Sequence, residues 1–400
     1  MRVHFLGIGG SGASAAASIA QAQGFEVSGC DLEPNNEFTE KFRKEQLLKG
    51  HDPKHLENID ILAVTPAIFS LDPNNPELLE TNKLGIPILT WQQFLGEYLA
   101  KDKFVIAVCG THGKTTTTAM IAQMLEDANL DPTVELGAII PRWKTNWRAG
   151  KGKYFVIEAD EFNDNYLHFK PNITVVTNIE MDHPEYFKDF AAVKKSFAKF
   201  KNQSKKVIDK PNPKLINFAL QVPGDFNILN ASLAYQAGLL LTINPQTIKS
   251  SLQNYTGVGR RFEYLGDFHG AQVFSDFGHH PTEIKVTLEA TRQKFPKQRI
   301  ILIYQPHMFS RTKALFDDFV KVFKKIPVDK IIITDIYPSR EVDLGLVNSQ
   351  ELVEAVGYNT LVYHSKNQLL PMLKKHIQNN DIVFFMGAGD IDKVARELLS

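Results

Sequence analysis

The apolar run Phe104-Val105-Ile106-Ala107-Val108 leads into Gly110-Thr111-His112-Gly113-Lys114-Thr115-Thr116-Thr117, and a helical stretch from Thr118 to Glu126 follows. A buried strand, a glycine turn and a helix start bearing Lys then Thr is the strand–turn–helix unit of a parallel α/β sheet. That unit can cradle a nucleoside triphosphate. Backbone N–H groups of the turn and helix N-terminus would face the phosphates, Lys114 would supply a point charge, and the Thr115 hydroxyl would reach Mg²⁺. The full phosphate-loop pattern asks for a glycine five positions before Gly113, where Val108 stands. A glycine turn with a lysine also begins many helices that bind nothing, so the preceding buried strand is what favours phosphate.

Composition narrows the class. A chain of 400 residues is long enough for two to four domains. Lys plus Arg balance Asp plus Glu at 45 each, which gives no reason to expect a nucleic-acid or anionic-membrane partner. No apolar run approaches a membrane span. Met1 to Leu6 reads as a first strand rather than a signal peptide, so a cytoplasmic protein is expected. Cys30 and Cys109 are too few for a disulfide framework or a four-cysteine metal site. Cys109, beside the phosphate loop, reads as a small buried strand residue rather than a reactive thiol.

Strand and helix signals divide the chain into three α/β domains. Residues 1–102 alternate short strands at Val3–Leu6, Glu26–Gly29, Ile59–Val64 and Ile86–Leu89 with helices, a Rossmann-like pattern. Its opening turn carries Gly7, Gly9, Gly10 and Gly12 in a G-x-G-x-x-G spacing, with Asp31 at the end of the second strand where a ribose-binding acid would stand. A dinucleotide dehydrogenase fits that turn, but so does any nucleotide diphosphate.

Residues 103–264 form the central phosphate-loop domain. Tyr154–Ile157 ends in Glu158-Ala159-Asp160-Glu161, and Ile173–Asn178 leads to Met181-Asp182-His183. Ligands gather at the carboxyl ends of parallel strands, so acids and a histidine there can meet one metal–phosphate site, although a solvated acidic loop would look the same. Residues 265–400 form a second Rossmann-like domain with strands at Ile300–Tyr304, Ile331–Thr334, Leu361–Tyr363 and Ile382–Phe385; Gly257–Arg261 reads as the hinge before it. No signal for an oligomeric state is present.

The order of these motifs resembles the Mur ligase family, the ATP-dependent amide-bond ligases of peptidoglycan precursor synthesis, over essentially the whole chain. The residues carrying the resemblance are Gly7 to Gly12, Gly110 to Thr117, Glu158 to Glu161, Asn178 with Asp182-His183, Asn227-Ile228-Leu229-Asn230, Arg260-Arg261-Phe262, Asp276 to Glu283, Gln305-Pro306-His307 and Gly387 to Ile391.

The resemblance implies a reaction that joins L-alanine to the carboxylate of UDP-N-acetylmuramate through an acyl phosphate, with ATP and Mg²⁺. It places the UDP-sugar on Gly7, Gly9, Gly10, Gly12, Asp31 and Thr65. ATP falls to Gly110, Thr111, His112, Gly113, Lys114, Thr115, Thr116, Asn227, Asn230, Arg261 and Asp276. Metal ions fall to Thr115, Glu158 and His183, and the amino acid to His280, His307 and Arg311. Lys114, His183, Arg261 and His280 are the implied catalytic residues. Plainer roles stay open: His280 can cap a helix beginning near Thr282, and His307 can be a satisfied loop residue.

Three departures bear on specificity. The stretch between Asn202 and Pro223 is short for the family, which implies a missing peripheral part of the central sheet. Phe226 stands where the family commonly has histidine. Met308 follows His307 where alanine-adding members carry arginine, which opens the amino acid to question and makes Arg340 an alternative basic partner. The same residues therefore leave room for a ligase adding another amino acid or a recycled peptide, or for a silent nucleotide-binding homologue.

Overall fold

Val3, Phe5 and Leu6 are completely buried, as expected of a strand covered on both faces of a parallel sheet. The structure, a computed structural model, describes the 400 residues other than Glu185, Arg340 and Asn359. It contains three α/β sheets. In the first, β1 (Arg2–Leu6), β2 (Glu26–Asp31), β3 (Leu47–Lys49), β4 (Ile61–Val64) and β5 (Ile88–Thr90) lie in the order β3-β2-β1-β4-β5, all parallel. The helix Ser11–Ala22 follows β1 directly, and its run of small residues from Ala13 to Ala20 is buried, which lets backbone approach backbone closely.

The second sheet holds β6 (Phe104–Cys109), β7 (Thr133–Ile140), β8 (Thr145–Arg148), β9 (Tyr154–Glu158), β10 (Ile173–Val176) and β11 (Lys206–Ile208). Their order is β11-β10-β6-β9-β7-β8, parallel except for the β7–β8 pair. The crevice beyond the carboxyl end of β6, where the chain crosses to β9 on one side and β10 on the other, is the switch point at which such sheets hold ligands. Strands β7, β8 and β11 lack the uninterrupted apolar run that marks β6 and β9: β7 carries Glu135 and Gly137, and β8 reads Thr-Asn-Trp-Arg. Beyond β11 the described residues up to Gly224 form only a short 3₁₀ turn at Pro213–Leu215, and the helix Asp225–Leu240 follows.

In the third sheet β12 (Glu263–Phe268), β13 (Ala271–Asp276), β14 (Ile300–Tyr304), β15 (Lys330–Ile333), β16 (Leu361–Tyr363) and β17 (Ile382–Met386) take the order β12-β13-β17-β14-β15-β16. Only the β12–β13 hairpin is antiparallel. Side chains alternate between two cores: Phe274, Leu302 and Phe384 pack on one face, Val273, Ile303 and Phe385 on the other. The hairpin escapes sequence reading because β12 is half exposed and is interrupted by an irregularity between Tyr264 and Gly266.

The chain forms two compact units. One comprises residues 1–180, 190–218 and 230–255, with the first two sheets; the other comprises residues 181–189, 219–229 and 256–400, with the third. Among the described residues no helix is long and apolar enough to cross a membrane.

Candidate active site

Two glycine turns in the first unit follow central strands. After β1, Gly7 adopts φ +88° and a methyl there would collide with Thr65. The Gly9 N–H donates to Asp31 Oδ2 at 3.0 Å, the Glu33 N–H to Asp31 Oδ1 at 3.3 Å, and a side chain at Gly12 would strike Trp91. Thr65 and Asp31 thus lie against the turn, and Asp31 shapes it with both carboxylate oxygens. Gly10 stands at the N-cap of the Ser11–Ala22 helix, so that helix points its unpaired N–H groups into the turn.

After β6 the second turn is tighter. Gly113 caps the helix Lys114–Asp127 at φ +81°, a left-handed conformation that glycine adopts without strain, so the helix begins at Lys114, four residues before the sequence pattern suggests. A side chain at Gly110 would collide with Thr177, and one at Gly113 would meet Asn230 Oδ1 at 2.5 Å. Asn178 clamps the turn from β10: its amide oxygen accepts from the His112 N–H at 3.0 Å, and its amide nitrogen donates to the His112 carbonyl at 2.9 Å. Thr111 and Thr116 are buried beside it.

Lys114 donates to the Gly110 carbonyl at 2.8 Å and to both oxygens of Glu161, at 3.1 and 2.8 Å. Burial alone would lower its pKa, but Glu161 and Asp160 outweigh burial and hold the ammonium well above the usual lysine range. Thr115 donates to Glu158 Oε1 at 2.8 Å, while Glu158 Oε2 accepts the Gly137 N–H at 2.7 Å. Two hard oxygen donors, Glu158 at the end of β9 and Thr115 at the start of the helix after β6, beside a lysine, form a set that Mg²⁺ fits. Cys109 is fully buried, and burial together with Glu161 pushes its thiol pKa up, which agrees with its reading as an inert strand residue. Asn227 and Asn230 sit on the helix Asp225–Leu240; the Asn227 amide donates back to the Pro223 carbonyl at 2.6 Å.

In the second unit the loops after β13, β14, β15 and β17 converge at the strands' carboxyl ends. Tyr337 N–H donates to the Pro306 carbonyl and Met308 N–H to the Tyr337 carbonyl, while Gln305 donates to Asp390 at 2.8 Å and accepts the Ile391 N–H at 3.1 Å. Arg311 is buried: its Nε and Nη2 donate to Asp182 Oδ1 at 3.2 and 3.1 Å, and its Nη1 to His307 Nδ1 at 3.2 Å. A guanidinium can only donate, so Nδ1 of His307 is the acceptor and Nε2 carries that ring's proton. His183 Nδ1 lies 3.5 Å from Arg311 Nη2. Burial opposes ionisation of Asp182, yet Arg311 and the neighbouring histidines hold its carboxyl well below the usual range. His279, pressed by burial and by Arg311, is lowered to about 4. The His307 ring stacks on Tyr337.

Several predicted site residues have structural partners. His280 is the N-cap of the helix Pro281–Lys294: its Nδ1 accepts the Thr282 N–H at 3.2 Å, and Glu283 accepts the His279 and His280 N–H groups. The capping role left open by the sequence is therefore observed. Arg261 faces Glu283, 3.5 Å away, and lies over the Phe277 ring. Asp276, its pKa raised by burial, accepts the Phe262 and Gly278 N–H groups at 2.8 and 2.7 Å. Met308 is buried at φ +68°. Arg340 lies outside the described residues. Motif reading named Glu161, Asp182 and Asn178 but gave them no partner: Glu161 receives Lys114, Asp182 receives Arg311, and Asn178 holds the turn. Their position in the loops that follow β9 and β10 was the available signal.

Residues 2–103 match the Mur ligase family catalytic domain, 108–210 the Mur ligase middle domain and 260–389 the Mur ligase glutamate ligase domain. The chain belongs to the Mur ligase family. It is 37% identical to the UDP-N-acetylmuramate–L-alanine ligase of Acetivibrio thermocellus over 99% of this chain and 95% of that one, and 35% identical to the enzyme of the same name from Clostridium acetobutylicum over 100% and 97%. The first alignment runs to 454 positions against 400 residues here, so the relative carries segments that this chain lacks. The crystal structure of UDP-N-acetylmuramate-alanine ligase from Thermotoga maritima is similar at TM-score 0.80 and 26% identity, covering 100% of this chain and 98% of that one.

Proposed function

We propose that this chain is an ATP-dependent ligase that joins L-alanine to the carboxylate of UDP-N-acetylmuramate, with release of ADP and phosphate, as a step of peptidoglycan precursor synthesis. Full-length similarity to relatives named for that reaction supports the reading. The observation that carries it is the triad at the switch point of the second sheet: Lys114 in the turn after β6, with Thr115 and Glu158 2.8 Å apart beside it.

A muramoyl carboxylate is too poor an acyl donor to react with an amine, so it attacks the γ-phosphate of ATP and becomes an acyl phosphate, which the amino-acid amine then opens. Phosphoryl transfer needs positioning and charge dispersal more than covalent help. Lys114 places a compact positive charge against the terminal phosphates, Gly113 and Thr116 present backbone N–H groups at the helix start, and Gly110, Thr111, His112 and Asn230 line the nucleotide's seat. Thr115 and Glu158 would hold Mg²⁺, which neutralises phosphate charge when bound; His183 is a candidate for a second ion. Gly7, Gly9, Gly10, Gly12, Asp31 and Thr65 form the seat for the UDP-sugar diphosphate. Asn227, Arg261 and Asp276 are candidates for the nucleotide, and His280, His307 and Arg311 for the amino acid.

The direct test is ADP release with UDP-N-acetylmuramate and a panel of single amino acids and short peptides. L-Alanine should give the largest rate. Release that depends on a peptide instead would reassign the enzyme to recycling, and substrate-dependent NADH formation would remove the ligase reading altogether. Glu158→Ala should shift the Mg²⁺ titration to higher concentration, and an unshifted titration would dismiss it as a ligand.

A further inference from the structure

One face of the first sheet carries a set of side chains that the ligase reading leaves unused. His4 in the middle of β1, Cys30 near the end of β2, His55 in the 3₁₀ turn Pro53–Leu56 and Glu77 in the first turn of the helix Pro76–Leu84 each offer one ligand atom. All four atoms lie within 4.8 Å of one another. Around Glu77 the spacing is close: the Cys30 thiol donates to Oε1 at 3.1 Å, His55 Nδ1 lies 3.0 Å from Oε1, and His4 Nε2 lies 3.3 Å from Oε2. His4, Cys30 and Glu77 are fully buried, among Leu6, Leu56, Leu62 and Leu78.

A hydrogen-bonded network alone leaves this cluster incomplete. His4 Nε2 and Glu77 Oε2 face each other in the core at 3.3 Å, an ion pair when the ring is protonated but one without a well-aligned hydrogen bond. A neutral imidazole nitrogen and a carboxylate oxygen so placed are both acceptors in need of a positive partner, and a cation bound to both would supply it. The His4 ring is already oriented for such a role, because its Nδ1 is hydrogen-bonded to Ser28 Oγ at 2.8 Å and its Nε2 is thereby aimed into the cluster. Tetrahedral bonds of about 2.0–2.3 Å imply ligand–ligand edges of roughly 3.3–3.7 Å; the contacts to Glu77 at 3.0–3.3 Å need slight expansion, and separations toward the 4.8 Å limit of the cluster need contraction. The donor set of one sulfur, two imidazoles and one carboxylate selects zinc-class cations and is wrong for Mg²⁺, which demands octahedral oxygen.

We propose that His4, Cys30, His55 and Glu77 form a closed, four-coordinate site for a zinc-class divalent cation that staples the first domain. The cation ties together two strands, a turn and a helix that are distant in sequence. His55 and the neighbouring His51, whose Nδ1 lies 3.3 Å from Cys30 Sγ, are each about 15% exposed and provide the way in. Cys30 directly precedes Asp31, whose carboxylate accepts the Gly9 N–H, so the staple also stiffens the first glycine turn.

The test uses the full chain, stripped with a chelator and titrated with Zn²⁺ and, for its spectrum, Co²⁺. One equivalent should bind per chain, Co²⁺ should show thiolate charge-transfer absorption, excess Mg²⁺ should not compete, and the loaded protein should melt higher than the stripped one. Cys30→Ser should abolish the thiolate band, and His55→Ala, on the partly exposed turn, should weaken Zn²⁺ affinity at least about 10-fold. Cys109→Ser should leave the band intact. Failure to bind one equivalent of Zn²⁺, or binding that survives both Cys30→Ser and His55→Ala unchanged, would overturn the proposal. If Cys30→Ser fails to fold, the His55→Ala titration and the Co²⁺ spectrum of the unaltered chain decide alone. None of these readouts depends on ligation.

Discussion

Lys114, largely buried in the first unit, and Arg311, buried in the second, are both cations bound to a carboxylate, and they are held in opposite ways. Lys114 sits on a flexible stem and shares its donors between the Gly110 carbonyl and Glu161. Arg311 is fixed by shape, with two donors on one oxygen of Asp182 and a third on His307. An ammonium can swivel from one anion to another at little cost, whereas a guanidinium fork orients whatever surrounds it. The first arrangement suits a charge that must follow a moving phosphoryl group; the second suits a scaffold that positions histidines.

The sharpest way to break this contrast is Lys114→Ala. Turnover should fall on the order of 10³-fold or more, because the charge dispersing the transition state is gone, while UDP-N-acetylmuramate affinity by calorimetry should hardly change. Near-normal turnover would remove the phosphate-loop reading.

The next effect is on stability rather than rate. His279 is lowered from 6.5 to about 4 in the folded protein, so as pH falls from 6.5 the unfolded chain takes up a proton that the folded chain refuses. The associated stability is complete above pH 6.5 and is lost progressively down to about pH 4, by at most about 3 kcal/mol. Asp182 remains ionised in the folded protein across that window, and because its carboxyl is held below the ordinary value of 3.8 it adds slope of the same sign only toward the window's low end. Urea unfolding of His279→Gln should therefore show a flatter pH dependence than the parent; an identical slope would mean that burial and Arg311 do not depress this ring.

Arg311→Lys keeps the charge and loses the fork. A stability loss of about 1–3 kcal/mol and a higher amino-acid KM with an unchanged ATP KM are expected. Equal behaviour of the two side chains would erase the distinction drawn above. The smallest effect is assigned to Met308→Arg. Because Met308 is buried at positive φ, an arginine there must find an anion to remain folded, and a several-fold fall in the L-alanine KM would identify that anion as the substrate carboxylate. An unchanged KM would take this position out of the amino-acid site.

Legibility in the sequence followed the distance between partners. Strand, glycine and lysine are contiguous around β6, so the turn and its helix could be read directly, and the apolar runs of β4, β6, β9, β14 and β17 marked the sheets. The Lys114–Glu161 and Arg311–Asp182 pairs span 47 and 129 residues, and no local pattern announces which acid after which strand will receive the cation. Strands β3 and β11 have three residues each, and β7 and β8 carry polar or charged residues inside the strand, so hydrophobic periodicity had little to register. The cluster around Glu77 was invisible for the same reason: its four ligands come from four separate elements.

The placement of β17 also governs how the second unit can be made. It is the latest of the six strands to be synthesised, yet it lies between β13 and β14 and supplies the register for both. Until it is made, β13 and β14 have no common neighbour and two apolar edges stay open. The sheet of this unit therefore cannot close before its last strand exists, and the unfinished chain must be kept from pairing those edges with another copy of itself.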